Sequence, residues 1–166
     1  MKRGGLIGFT AAVALMAVPL CVIAQKGKLP EQRVAPSEVA WSKSVSNLAG
    51  SGLQPGIETV YVAGDGTKAE LYSMEFRIAP HTTIQPHSHP DDRSCFVLSG
   101  LWYFGYGTIR DESKMRALPP GSNYTEPGGV VHFAGTKTQG VTLECTAVGP
   151  TGTTMFKASD DPRIKK

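Results

Sequence analysis

The chain has 166 residues, 17 of them Lys or Arg and 14 Asp or Glu, which gives a formal net charge of +3. This length fits one domain and is enough to bury a hydrophobic core without disulfide bonds or a structural metal. Cleavage of the signal peptide proposed below removes Lys2 and Arg3. It lowers the formal net charge from +3 to +1 and leaves no long basic cluster. Nucleic acid is therefore not expected as a partner.

The N-terminus reads as an export signal. Lys2 and Arg3 precede an apolar stretch over residues 6–24, which ends in Val22-Ile23-Ala24. This order of basic, apolar and small residues predicts a secretory signal peptide over residues 1–24, a periplasmic or secreted location and no membrane association after cleavage. An uncleaved anchor helix and a lipoprotein at Cys21 are the alternatives; Pro19 and the large Leu20 argue against them.

A polar segment rich in proline follows, and residues 25–36 are expected to form a flexible leader. Residues 37–156 are expected to form the folded domain, and residues 157–166 a C-terminal tail. Short apolar runs separated by turn residues predict strands. These are Ile57–Val62, Ala69–Ile78, Ser94–Leu98, Leu101–Tyr106, Met115–Leu118, Asn123–Thr125, Val130–Phe133 and Val141–Val148. Asp111–Lys114 is the one helix-like turn, so the prediction is an all-β barrel.

Two histidines stand one residue apart in "QPHSHPDDRSCFVLSG". Side chains alternate faces along a strand, so His87 and His89 point the same way, and a regular strand would place Arg93 on that face too. A third histidine, His132, follows a Pro-Gly turn in "PGGVVHF". Three neutral imidazoles are good ligands for transition metals, so His87, His89 and His132 are the predicted metal site.

These spacings resemble the cupin family of double-stranded β-helix (jelly-roll) barrels. The first cupin motif, G(X)5HXH(X)3–4E(X)6G, matches His81, His87-Ser88-His89, Arg93 and Gly100. The second, G(X)5PXG(X)2H(X)3N, matches Gly121, Pro127-Gly128-Gly129, His132 and Thr136. Within this family the chain looks most similar to an exported, anti-sigma-factor-like branch. The resemblance implies a divalent transition metal, Fe or Mn first and Zn, Ni or Cu as alternatives, a small-molecule substrate and a homodimer.

The chain departs from the family pattern most sharply at Arg93, which stands where the family has a metal-binding glutamate. A guanidinium stays protonated and cannot ligate a metal. Arg93 is the candidate catalytic residue, holding an anionic substrate or intermediate. Alternatively, it pairs with Asp91 or Asp92 and is structural. A carboxylate from elsewhere, Asp91, Asp92 or Glu126, is a third possibility.

Other positions leave alternatives open. His81 and Thr136 replace the motif's glycine and asparagine and are interpreted as turn substitutions. Cys95 and Cys145 lie in apolar runs and form either a disulfide or two buried thiols. Cys95 shares the inward parity, so a soft metal ligand is also conceivable there.

Three hypotheses about function follow from these patterns. A metal-dependent, dioxygenase-like enzyme on a small organic substrate is preferred. An oxygen-independent lyase or isomerase at the same metal is the second. A non-catalytic barrel that binds a metal or a small ligand is the third. The fold alone does not choose among them.

Overall fold

The computed structural model describes residues 29–41, 56–162 and 164, and the predicted signal peptide lies outside these ranges. The described residues form ten β-strands and short 3-10 turns. The strands are β1 (Ile57–Ala63), β2 (Leu71–Ile78), β3 (Thr83–Ser88), β4 (Arg93–Gly100), β5 (Trp102–Tyr106), β6 (Arg116–Leu118), β7 (Asn123–Glu126), β8 (His132–Gly135), β9 (Val141–Val148) and β10 (Thr154–Met155).

The strands form two five-stranded antiparallel sheets, in the orders β1-β2-β9-β4-β7 and β10-β3-β8-β5-β6. Strands distant in sequence are neighbours in both sheets, since β2 pairs with β9 and β3 with β8. The long connections therefore pass between the sheets, as in a jelly roll. The prediction of an all-β jelly-roll barrel is confirmed.

The core lies between the two sheets and follows the alternation that the sequence predicts. In β2, Tyr72, Met74, Phe76 and Ile78 are buried, while the residues between them face outward. The strand predicted from residue 130 begins instead at His132, because Val130 N–H still bonds Pro127 O in the preceding turn. Strands β3 and β10 were not among the strands predicted above, because β3 (TIQPHS) is mostly polar and β10 is only two residues long, so neither carries a clear periodic signal.

The backbone at the first and last positions of the first motif, His81 and Gly100, shows where a side chain is tolerated and where it is not. His81 has φ 58°, the left-handed conformation that favours the glycine of the family pattern. Gly100 has φ +79°, and a Cβ there would lie 1.9 Å from the Gly140 carbonyl oxygen. His81 is thus a turn substitution at an unusual backbone conformation, as interpreted, whereas Gly100 has no room for a side chain.

Thr136 does more than fill a turn. Its Oγ1 accepts from Thr82 N–H at 2.9 Å and donates to Ala79 O at 2.6 Å. The side chain is buried and ties the loop after β8 to the loop before β3.

The segments that flank the barrel contact it. The Trp41 ring lies 3.9 Å from the Arg77 guanidinium, and Pro162, near the far end of the chain, lines the internal cavity. Residues 29–34, within the predicted leader, are exposed and contain no helix or strand. Among the described residues, no helix has the length and apolar character needed to cross a membrane.

A disulfide joins two adjacent interior strands of one sheet. Cys95 on β4 lies directly opposite Cys145 on β9, and the structure bonds the two sulfurs. Both cysteines are buried. Of the two alternatives left open by the sequence, the structure has the disulfide, and Cys95 therefore offers no thiolate to a metal.

Replacing both cysteines by alanine should lower the free energy of unfolding. The bond spans 50 residues of sequence, and cross-linking a loop of that length lowers the entropy of the unfolded chain by an amount worth about 4 kcal/mol. Urea denaturation of wild type and of the Cys95→Ala/Cys145→Ala variant measures the difference. Wild type treated with a reductant should match the variant; equal stability of all three would contradict the bond.

Candidate metal centre

The three histidines come from two neighbouring strands and the loop after one of them. His87 lies in β3 and His132 opens β8, and the two are directly opposite in the pairing of these strands. His89 follows β3 by one residue. One potential ligand atom from each ring lies within 4.8 Å of those of the other two. The structure therefore brings together all three predicted ligands.

Each ring is held by the same kind of hydrogen bond. Nδ1 of His87 lies 2.8 Å from Gln85 O, Nδ1 of His89 2.6 Å from Gly152 O, and Nδ1 of His132 3.0 Å from Val130 O. A carbonyl oxygen only accepts, so each Nδ1 carries the proton and donates it. Nε2 is then the unprotonated nitrogen in all three rings, the state in which imidazole binds a metal.

A second observation, an unpaired buried nitrogen, also indicates that the three histidines fit a metal ion. Nε2 of His132 is buried and has no hydrogen-bond partner among the described residues. Buried polar nitrogen atoms are seldom left unpaired, because the loss of water costs free energy. A cation bound between the three rings would satisfy this nitrogen.

Burial keeps these imidazoles neutral. The residues are 8%, 4% and 1% exposed for His87, His89 and His132. Loss of water disfavours the charged form and lowers the pKa of both His87 and His132 to about 4, and that of His89 well below its ordinary value. At neutral pH no proton has to leave before a metal binds.

Arg93 begins β4 and is 3% exposed. Its Nε donates to Asp91 Oδ2 at 3.2 Å, its Nη1 lies 3.4 Å from Glu126 Oε2, and its Nη2 donates to Thr151 Oγ1. The inward direction predicted from strand parity is what the structure shows. Protein acceptors occupy all three nitrogens, which favours the pairing alternative for Arg93 over capture of a substrate anion.

Glu126, the last residue of β7, is directly opposite Arg93 in the sheet. Its Oε2 lies 3.4 Å from His89 Nε2, and its Oε1 lies 3.8 Å from His132 Nε2. Burial raises the pKa of Glu126, and the adjacent Arg93 guanidinium partly offsets this. Of the three carboxylates considered from the sequence, Glu126 is the one whose oxygens face the histidines.

The other two carboxylates have different partners. Asp92 Oδ1 accepts from Gly128 N–H at 2.7 Å and so supports the turn before His132. Asp91 is buried and accepts from Tyr72 OH at 2.5 Å and from Thr151 Oγ1 at 2.8 Å. Sequence reasoning missed Tyr72 and Thr151; Thr151 lies in a loop, where no periodic pattern points to it.

A cavity of about 80 Å³ opens onto the histidines. Roughly 10–15 Å³ of such space holds one water, so the cavity admits a ligand of only several non-hydrogen atoms. The polar groups (His87, His89, His132, Glu126 and Arg93) are accompanied by apolar walls. These walls include Phe76, Ile78, Ile84, Trp102, Leu143 and Met155.

Comparison with solved structures identifies proteins of the same fold. The polyketide cyclase RemF from Streptomyces resistomycificus superposes with a TM-score of 0.63 and 19% identity, over 80% of this chain and 90% of that one. The DMSP lyase DddQ from Ruegeria pomeroyi gives 0.53 and 19%, over 66% and 58%. Salicylate 1,2-dioxygenase from Pseudaminobacter salicylatoxidans gives 0.50 and 16%, over 61% and 30%.

These structural neighbours are cupin-fold proteins, and at such low identity they establish the fold of this chain and nothing finer. No protein-family model matches the sequence, and no curated protein matches it significantly. The resemblance to an anti-sigma-factor-like branch stays a prediction.

The metal-free protein should lose stability as the pH falls from about 6.5 to about 4. In this window the unfolded chain takes up protons on His87 and His132, whose ordinary pKa is 6.5, while the folded chain does not. Above the window neither state is protonated and the effect vanishes. The loss is on the order of 3 kcal/mol for each imidazole.

Urea denaturation at several pH values, after dialysis against a chelator, measures this loss. The His87→Gln/His132→Gln variant is the control, because it lacks these two rings and keeps the other titratable groups. The slope of stability against pH should be flatter in the variant. Parallel slopes would contradict the assignment of these rings as neutral.

Proposed function

We propose that this chain is a metal-dependent, dioxygenase-like enzyme that acts on a small organic substrate, with its metal held by His87, His89 and His132. The observation that carries the proposal is the common orientation of the three rings. Each donates Nδ1–H to a carbonyl, which leaves an unprotonated Nε2, and one potential ligand atom from each ring lies within 4.8 Å of those of the other two.

The donor set suits a divalent transition metal, with Fe or Mn favoured and Zn, Ni or Cu as alternatives. A bound ion of this kind would supply Lewis acidity and, in the case of iron, redox chemistry. Three protein nitrogens would leave further coordination positions for other groups.

The chain's own residues define the substrate. The apolar walls, among them Phe76, Ile84 and Leu143, exclude water and favour an uncharged hydrocarbon or aromatic body. The polar groups of the cavity are the histidines, Glu126, Arg93 and a few others, so a polar group of the substrate would be oriented toward them. We therefore expect a small molecule with an apolar body and an oxygen-bearing end.

A second candidate function is an oxygen-independent lyase or isomerase, and one observation favours it. Glu126 is a buried carboxylate whose pKa burial raises, which suits an acceptor for a substrate proton. Among the cupin-fold neighbours, a polyketide cyclase and DMSP lyases stand beside a salicylate dioxygenase. Both chemistries thus occur on this fold.

We also propose that the protein is exported to the periplasm or secreted and works as a homodimer. The basic and apolar start of the sequence supports export. The buried disulfide supports it too, because disulfides form and persist in oxidising compartments. The dimer is supported only by the family resemblance.

Elemental analysis of protein purified without added metal tests the site. We expect about one equivalent of Fe or Mn in wild type and less than a tenth of that in His132→Ala, because two imidazoles bind more weakly than three. His81→Gly is the matched control, since His81 is exposed and glycine suits its left-handed backbone. Protein that stays free of metal after reconstitution would overturn both enzymatic proposals.

Oxygen consumption separates the two candidate reactions. Fe(II)-loaded protein should consume O₂ with at least one member of a panel of diketones, thiols, catechols and hydroxy acids, and the His132→Ala variant should not. Turnover of a panel member under anaerobic conditions, without O₂ uptake in air, would instead support the lyase or isomerase.

A further inference from the structure

Arg93 and Glu126 stand in positions that are linked by the sheet. The cupin pattern places its acidic ligand where this chain has Arg93, and Glu126 is the residue directly opposite on the neighbouring strand β7. Directly paired residues of antiparallel strands project to the same face, with Cβ atoms about 4.5–5.5 Å apart. An acid at 126 therefore enters the same cavity as an acid at 93 would.

The carboxylate oxygens of Glu126 face the Nε2 atoms of two histidines without a hydrogen bond between them. Oε2 is 3.4 Å from His89 Nε2 and Oε1 is 3.8 Å from His132 Nε2, both longer than an ordinary hydrogen bond of about 2.7–3.2 Å. Both Nε2 atoms carry lone pairs, because the Nδ1 atoms hold the protons. Carboxylate oxygens and nitrogen lone pairs thus converge with no donor between them, an arrangement that a cation would stabilise.

From this geometry we infer that Glu126 is the fourth protein ligand of the metal and that Arg93 is its positioning residue. The acidic ligand has moved by one strand, from β4 to β7. This inference rests on the proposed metal site and adds to it a ligand and a charge balance.

Arg93 is suited to hold Glu126 because it is itself fixed. Its Nε and Nη2 donate to Asp91 and Thr151, and Asp91 in turn accepts from Tyr72 and Thr151. Nη1 is left to contact Glu126 Oε2 at 3.4 Å. A guanidinium anchored at two points cannot swing away, so it constrains one carboxylate oxygen of Glu126.

The charges of this group also favour a cation. Asp91 and Glu126 contribute two negative charges and Arg93 one positive charge, all with side chains at most 9% exposed. The sum is one net negative charge beside three neutral imidazoles. Buried charge without compensation is costly, and a divalent ion would offset it.

Cobalt(II) is the probe for this inference, because its visible absorption reports the ligands around it. Metal-free wild type, Glu126→Gln and Glu126→Asp are titrated with Co(II) against a competing chelator. Glu126→Gln keeps the shape but loses the charge, so we expect affinity to fall at least 10-fold and the visible bands to change. Glu126→Asp should lie between the two.

Exchange of the two residues tests the relocation itself. Co(II) should bind more tightly to the R93E/E126R variant than to E126R alone, because the double variant restores an acid at the family position. For the positioning role, Arg93→Lys should retain more of the wild-type Co(II) spectrum than Arg93→Met does. Circular dichroism and thermal unfolding confirm that each variant is folded.

A folded Glu126→Gln variant with wild-type Co(II) affinity and spectrum would overturn the inference. So would an R93E/E126R variant that binds no better than E126R. These outcomes differ from failure of the proposed function, in which wild type itself binds no Co(II) and His132→Ala makes no difference.

Discussion

Three hydrogen bonds from Nδ1 to backbone carbonyls decide what this barrel can do. The carbonyls of Gln85, Val130 and Gly152 each take the proton of one imidazole. Gln85 and Val130 precede their own histidines by two residues, so the local backbone of β3 and of the turn before β8 fixes two of the rings. The third bond comes from the loop after β9. The free Nε2 atoms and the proposed metal follow from this constraint, whereas the neutral charge of the rings follows from their burial, which lowers the pKa of all three.

The buried charges are organised around the same centre. Arg93 lies between the carboxylates of Asp91 and Glu126, and Glu126 in turn faces two of the histidines. An isolated buried guanidinium would be costly, and so would either carboxylate alone. Together they form a network that can hold one carboxylate at a set position next to the histidines. The Cys95–Cys145 disulfide links β4, the strand that begins with Arg93, to the adjacent strand β9.

Much of the fold could be predicted from the sequence because its signals are local. The alternation in Leu71–Ile78 and in Val141–Val148 marks half-buried strands, and the predicted inward parity of positions 87 to 97 agrees with burial at each odd position. This agreement holds although β3 ends at Ser88 and β4 begins at Arg93, in different sheets. The three histidines come together because each sits in a motif of fixed spacing.

The rest of the site depends on pairing between distant strands, which local patterns do not reveal. Glu126 reaches the histidines because β7 pairs with β4, and Cys95 meets Cys145 because β9 pairs with β4 in one particular register. The Asp91 and Arg93 partner Thr151 lies in a loop. Glu126 was one of three carboxylates considered from the sequence, and only its position in the sheet singles it out.

Anomalous X-ray diffraction from crystals of the metal-loaded protein, collected at the absorption edge of the bound ion, would test the central claim most directly. The account predicts one strong anomalous peak at about 2.0–2.2 Å from Nε2 of His87, His89 and His132. An anomalous peak located elsewhere on the molecule would contradict it. So would rings that turn Nδ1 rather than Nε2 toward the ion.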